Sequence, residues 1–209
     1  MRPDDKILLA HGGGGRLTQE LIRSVFLPDL ANPALAALSD SAVLERMPPG
    51  RPALTTDAFV VDPPVFPGGD LGYLSVCGTV NDLAVAGARP IALTWALVLE
   101  EGLEIELLRT FVRGAARAAG EAGVAIVAGD TKVVPRGKGD RAYVTTAGLG
   151  VVPEGRDLGD HRIEPGCPHR LHLTIDNFLA HVSSAIRDEV QGDSRSARGN
   201  KRVLHSNES

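Results

Sequence analysis

Apolar positions along the first three-quarters of the chain follow two rhythms, and each predicts a type of element. Short β-branched or alternating runs predict strands at "KILLA" (Lys6–Ala10), "ALTTDAFVV" (Ala53–Val61) and "PIALTWALVLE" from Pro90. Two more such runs, "VAIVAGDTKVV" and "RAYVTTAGLGVV", are joined by the loop "PRGKGD". Helical spacing appears in "LTQELIRSVFLPDL", through Leu17, Leu21, Val25 and Phe26, and again over Asp70–Ala88. Glu104–Ala122 predicts a further helix, with Leu107, Leu108, Phe111, Val112 and Ala115 on its apolar face. Strands alternating with helices predict an α/β or α+β domain. Trp95 and Phe111 belong to its core, and Cys77, set among Val76, Gly78 and Val80, reads as a small core residue.

From about Arg156 the rhythm stops. Five of the six histidines fall beyond this point, and the closing stretch "DEVQGDSRSARGNKRVLHSNES" is polar without a period. Such a segment buries too little apolar area to offset its ordering entropy. The expected organisation is therefore a folded domain over residues 1–155 and a largely disordered tail over 156–209. Within the tail, "FLAHVSSAI" is expected to form one short amphipathic helix. There are no tandem repeats.

Composition narrows the class. The 209 residues are 43% hydrophobic and carry a net charge of −4 with no basic run, which argues against a nucleic-acid surface. No apolar segment approaches the roughly 20 residues needed to span a bilayer. The apolar start is too short for a secretory signal. Two cysteines, Cys77 and Cys167, give no disulfide framework, so a reducing cytoplasm is the expected compartment.

Candidate chemistry sits at polar residues inside apolar runs. Gly12, Gly13, Gly14 and Gly15 leave backbone N–H groups uncovered, as a phosphate loop requires. The stretch fits neither the P-loop nor the dinucleotide spacing, so a plain turn before a helix is the competing reading. Asp57 closes "LTTD" at an expected strand end, as a cation ligand or as a cap of the next turn. Asn81 and Asp82 interrupt a run of small residues, which implies either a ligand or an internal hydrogen bond. Asp130, Thr131 and Lys132 offer an acid, a hydroxyl and a cation, as a metal–triphosphate needs, although a surface Asp–Lys pair has the same composition. Read jointly, these residues point to binding of a nucleotide with Mg2+. Because Mg2+ takes only one or two carboxylates, three acids imply more than one ion or a separate role for one of them. Cys167, His169 and His172 in "CPHRLH" form a weaker metal candidate on no framed fold.

The order "HGGGGRLTQELI", then "LTTDAFVVDPPVFPGGDLGYLSVCGTVNDLAVAGARPIALT", then "VAGDTKVV" resembles the HypE hydrogenase-maturation family, within the aminoimidazole ribonucleotide synthetase superfamily. The resemblance covers roughly residues 5–166. It implies a mixed sheet with helices on one face, whose strands pair across a homodimer into a β-barrel, with ATP and Mg2+ bound beside it. It also implies the reaction, an ATP-dependent dehydration of a C-terminal cysteine thiocarboxamide to a thiocyanate. HypF would be the carbamoyl donor and the HypC–HypD complex the cyanide acceptor. On matching positions, Asp57, Asp82 and Asp130 become metal and ATP residues, and Asn81, Thr131 and Lys132 phosphate- or substrate-orienting groups. Lys132 and Asp82 would carry catalysis. After Gly166 the sequence leaves the family pattern, so a truncated or frame-shifted C-terminal part is expected, with Cys167 not the acceptor cysteine and no self-cyanation. Two other readings remain: another amide-activating enzyme of the superfamily, or a non-catalytic dimer that binds HypF or HypC–HypD.

Overall fold

A computed structural model describes residues 2, 5–39 and 41–156, and all of these belong to one compact unit. The expected tail, its short helix and the Cys167, His169 and His172 group lie outside the described residues.

Four long strands form a mixed sheet: β1 (Arg51–Phe59), β4 (Arg89–Glu100), β5 (Ala125–Val134) and β6 (Ala142–Val152), in the order β1-β6-β4-β5. β4 runs parallel to β5 and antiparallel to β6, while β1 is antiparallel to β6. A small hairpin, β2 (Val65–Phe66) with β3 (Gly69–Asp70), leads into α4 (Leu71–Val85). α4 and α5 (Ile105–Ala122) pack together on one side of the sheet. These spans agree closely with the runs read from the sequence.

Local chemistry explains the boundaries. The Asp70 carboxylate caps α4, accepting N–H bonds from Gly72 at 2.9 Å and Tyr73 at 3.0 Å. α5 stops where Gly123 adopts a left-handed conformation, φ 63°. β4 alternates cleanly, burying Leu93, Trp95, Leu97 and Leu99 against the helices. The Trp95 indole N–H donates to Ser75 Oγ of α4 at 2.9 Å, and its ring meets Phe26 edge-on at 6.2 Å. This indole locks the helix layer to the sheet. Among the described residues the opposite sheet face has no helix over it, and it carries exposed Thr56, Ala58 and Thr145 with Leu54, 79% exposed, and Tyr143.

Two elements depart from expectation. "KILLA" is not a strand. Ile7 exchanges backbone hydrogen bonds with Leu103 and Gly102, and Lys6 makes a lone bridge with Glu104. Leu8 and Leu9 then turn outward, and the chain enters a 3-10 turn at Leu9–Gly12. The helix expected from Leu17 forms in pieces: α1 (Arg16–Leu21), a π-helical turn over Ile22–Phe26 and α2 (Leu27–Leu30). Pro28 has no N–H to donate, so the regular ladder cannot run through it. α3 (Pro33–Ala36) follows, capped by Asn32, whose amide also donates to Ile126 O on β5 at 2.8 Å.

Glu100 of β4 ties down the loop 135–141, and Asp62 adds an ion pair with Arg141 at 3.6 Å. The Glu100 carboxylate accepts the N–H groups of Gly137 and of Arg141, the latter at 3.2 Å, and these bonds hold its pKa below the usual value of 4.5. A depressed acid contributes above its unfolded pKa and loses that contribution as pH falls through the folded one. The Gly137 and Arg141 amide shifts should therefore step at a pH below 4.5 in an acid titration, and the step should vanish in Glu100→Gln. A step at or above that pH would show that the loop is held by something else.

Candidate functional site

The first group of polar residues lies at the seam of β1 and α4. A Cβ built on Gly78 would fall 2.7 Å from Phe59 Cζ and 3.5 Å from Asp57 Oδ2, so glycine is what lets α4 approach the strand. One turn further along α4, the Asp82 carboxylate accepts a hydrogen bond of 2.9 Å from Thr55 Oγ1. Thr55 and Asp57 are two apart on β1 and share a face. Gly148 of β6 keeps the same seam narrow, since a Cβ there would lie 2.8 Å from Thr79 and 3.2 Å from Thr55. Asp57 stands within β1, not at its end, and accepts from Ala58 N–H at 2.8 Å. Asp82 is exposed, and the internal hydrogen bond it makes is to a side chain. Its neighbour Asn81 has a buried carbonyl oxygen without a donor.

The second group lies at the β5 edge. Gly12 packs directly on the Lys132–Val133 backbone, so closely that any Cβ would collide with Val133 N. Gly14 takes a left-handed φ of 76° and donates its N–H to Thr18 Oγ1 at 3.0 Å, while Gly15 opens α1. Nothing lies within 4 Å of where Cβ atoms would stand on Gly14 or Gly15. This open glycine turn is thus seated on the strand that carries Asp130, Thr131 and Lys132. Asp130 accepts Thr131 N–H at 2.8 Å and lies 3.6 Å from Lys132 Nζ, both side chains being more than 60% exposed. A pair so exposed adds little stability, which leaves both groups free for a ligand.

Strand register separates the two groups. Asp57 pairs with Thr146, which pairs with Trp95, which pairs with Gly129, and this row faces the helices. Asp130 belongs to the next row, with Ala96, Thr145 and Ala58, on the uncovered face. β1 and β5 are opposite edges of the sheet, three strand spacings or about 14 Å apart. Asp57 and Asp82 therefore stand together, whereas Asp130 stands with the glycine turn. Among the described residues no three acids, histidines or cysteines gather at one point.

The seam suits a hard cation. Two carboxylates and a hydroxyl are oxygen donors of the kind Mg2+ takes, and the orphaned Asn81 oxygen beside them in sequence lacks a donor. The β5 edge suits an anion, with the exposed backbone of Gly13 and Gly15 and the Lys132 ammonium, while the Gly14 N–H is held by Thr18. Thr55 and Phe59 were not singled out from the sequence, whereas Gly78 was among the small residues around Asn81 and Asp82 expected to admit a close approach. The period-2 step from Asp57 to Thr55 and the i, i+4 step from Asp82 to Gly78 were the signals available. Cys77 is buried and its thiol is pushed up to about 11 by burial, so it is a core residue and no nucleophile.

Residues 38–152 match the family model for the AIR synthase related protein, N-terminal domain. The chain is 52% identical over 166 residues to the carbamoyl dehydratase HypE of Rhodobacter capsulatus, covering 78% of this chain and 48% of that protein. It spans about half the length of the curated relatives it matches. Among solved structures, hydrogenase maturation protein HypE in complex with ATP aligns with a TM-score of 0.66 and 48% identity, over 69% of this chain and 43% of that one. A HypE–HypF complex aligns with a TM-score of 0.51 and 48% identity, over 68% of this chain and 44% of that one.

Proposed function

The chain belongs to the AIR synthase related family, and from that membership we propose that it supplies the nucleotide-binding half of a HypE-type carbamoyl dehydratase. The observation that carries this reading is the glycine turn seated on the Asp130–Lys132 strand, in a domain similar to a HypE whose structure holds ATP.

The reaction is the activation of a poor leaving group. The oxygen of a cysteine thiocarboxamide attacks the γ-phosphorus of ATP and releases ADP. Loss of that oxygen as phosphate, together with both amide protons, leaves a thiocyanate. The elements of water removed from the amide are those that hydrolysis of ATP consumes, so atoms balance. Glycine N–H groups and Lys132 hold the transferring phosphoryl charge, with Thr131 beside them. Mg2+ held by Asp57 and Asp82 supplies charge neutralisation at the phosphates when bound. HypF donates the carbamoyl group and a HypC–HypD complex accepts the cyanide, in the cytoplasm.

The two groups stand on opposite edges of one sheet, so we assign the complete site to a homodimer. The Asp57–Asp82 seam of one protomer meets the glycine turn and Asp130 of its partner. The uncovered sheet face, with Leu54 and Tyr143 exposed, supports burial against a second copy. Cys77 is buried in the core and is not the carbamoyl acceptor.

Isothermal titration of the full chain with ATP tests this. Heat is expected with Mg2+ present and is expected to disappear with EDTA. No heat in either condition would sink the nucleotide reading, and binding of HypF without nucleotide heat would favour a non-catalytic module.

A further inference from the structure

The glycine turn is built on a buried histidine that no step above uses. His11 is 2% exposed and immediately precedes Gly12. Its Nδ1 accepts the Leu8 N–H at 2.9 Å, and its own backbone N–H donates to Leu8 O at 2.9 Å. The ring thus closes the 3-10 turn Leu9–Gly12 with a second bond beside the backbone one. Upstream, Ile7 is tied to Leu103 and Gly102; downstream, Gly12 rests on Val133. The segment between those two anchors is short, and His11 fixes its path. Thr18 Oγ1 then takes the Gly14 N–H, so the glycines leave the turn in one direction.

We propose that His11 is a positioning residue for anion binding, its unprotonated Nδ1 holding the turn that aims the Gly13–Gly15 backbone outward. This rests on the reading of that turn as the phosphate-facing element. An acceptor at Nδ1 requires the neutral ring with its proton on Nε2, since a proton on Nδ1 would face the Leu8 N–H. Burial disfavours the charged ring and pushes its pKa down, in keeping with that state.

The role lies in one atom, which makes it separable from packing. Asn places its Oδ1 close to the position of Nδ1, whereas Gln sets its oxygen one bond further out. In the full chain, His11→Asn should keep amide exchange at Gly13 and Gly14 near wild type, and His11→Gln should speed it by about tenfold or more. The Mg2+–ATP dissociation constant should rise by about five- to tenfold in His11→Gln alone, as expected for lost preorganisation. Nitrogen chemical shifts of wild-type His11 should report the Nε2–H tautomer. An Nδ1–H tautomer overturns the proposal, as does equal loss in the two variants or no loss in His11→Gln. Should wild type bind no nucleotide, the function proposed above fails, while exchange and tautomer still decide the role of His11.

Discussion

Replacing Gly72 with alanine is expected to cost more stability than any other single methyl group added to the described residues. Gly72 lies in the first turn of α4, where a Cβ would overlap the Phe111 carbonyl oxygen and fall 2.6 Å from its carbon. The obstacle is backbone of α5, so no rotamer change relieves it. The reciprocal contact is Gly114 of α5, whose Cβ would strike the Asp70 carboxylate that caps α4. Two glycines thus set the distance between the helices, and the Asp70 cap is buried within that contact. Overpacking of a core costs typically 1–3 kcal/mol, and a backbone clash belongs at or beyond the top of that range, about 3 kcal/mol or more. For a domain of this size that lowers Tm by roughly 10 °C. Gly120 is the control. It lies in α5 with nothing within 4 Å of its Cβ position. Gly120→Ala should be neutral or stabilising by up to about 1 kcal/mol, from helix propensity alone. Thermal unfolding of the two variants decides the matter: equal Tm values would mean that the helices can separate at no cost.

Nucleotide binding should disappear in Asp82→Asn and again in Asp130→Asn, with each Kd raised about 100-fold or more, since even groups behind a metal's direct ligands are worth 10–100-fold. Mixing the two variants should bring it back. If the site is shared across a two-fold dimer, random exchange places one intact site in each mixed dimer, and about a quarter of wild-type sites return. A site complete within one protomer gives no recovery from any mixture. Titration calorimetry of the equilibrated mixture reads the stoichiometry directly. Recovery absent after verified subunit exchange would remove the shared-site assignment while leaving nucleotide binding itself intact.

Much of the domain was legible because its elements are long and locally consistent. The strands at β1, β4, β5 and β6 and the helices α4 and α5 follow from period and punctuation: Pro90 at the start of β4, Asp70 at the cap of α4, Gly123 after α5. "KILLA" misled because four apolar residues say nothing of partners. Its pairing residues are at Gly102 and Leu103, and the glycines that follow cannot prolong a strand. Site residues were legible as polar interruptions, and their grouping was not. Asp57, Asp82 and Asp130 look alike in sequence, yet one residue of register and two intervening strands place Asp130 on another face and edge from the others. Thr55 escaped notice because a threonine in a strand is ordinary. His11 escaped because its value lies in a hydrogen bond three residues back.

The seat of Trp95 has a practical consequence. The chain contains a single tryptophan, and it is hydrogen-bonded across the boundary between helices and sheet. Fluorescence excited at the indole therefore comes from one known spot. A red shift in its emission marks water reaching that boundary. The molecule carries its own optical gauge of whether its two layers are still in register.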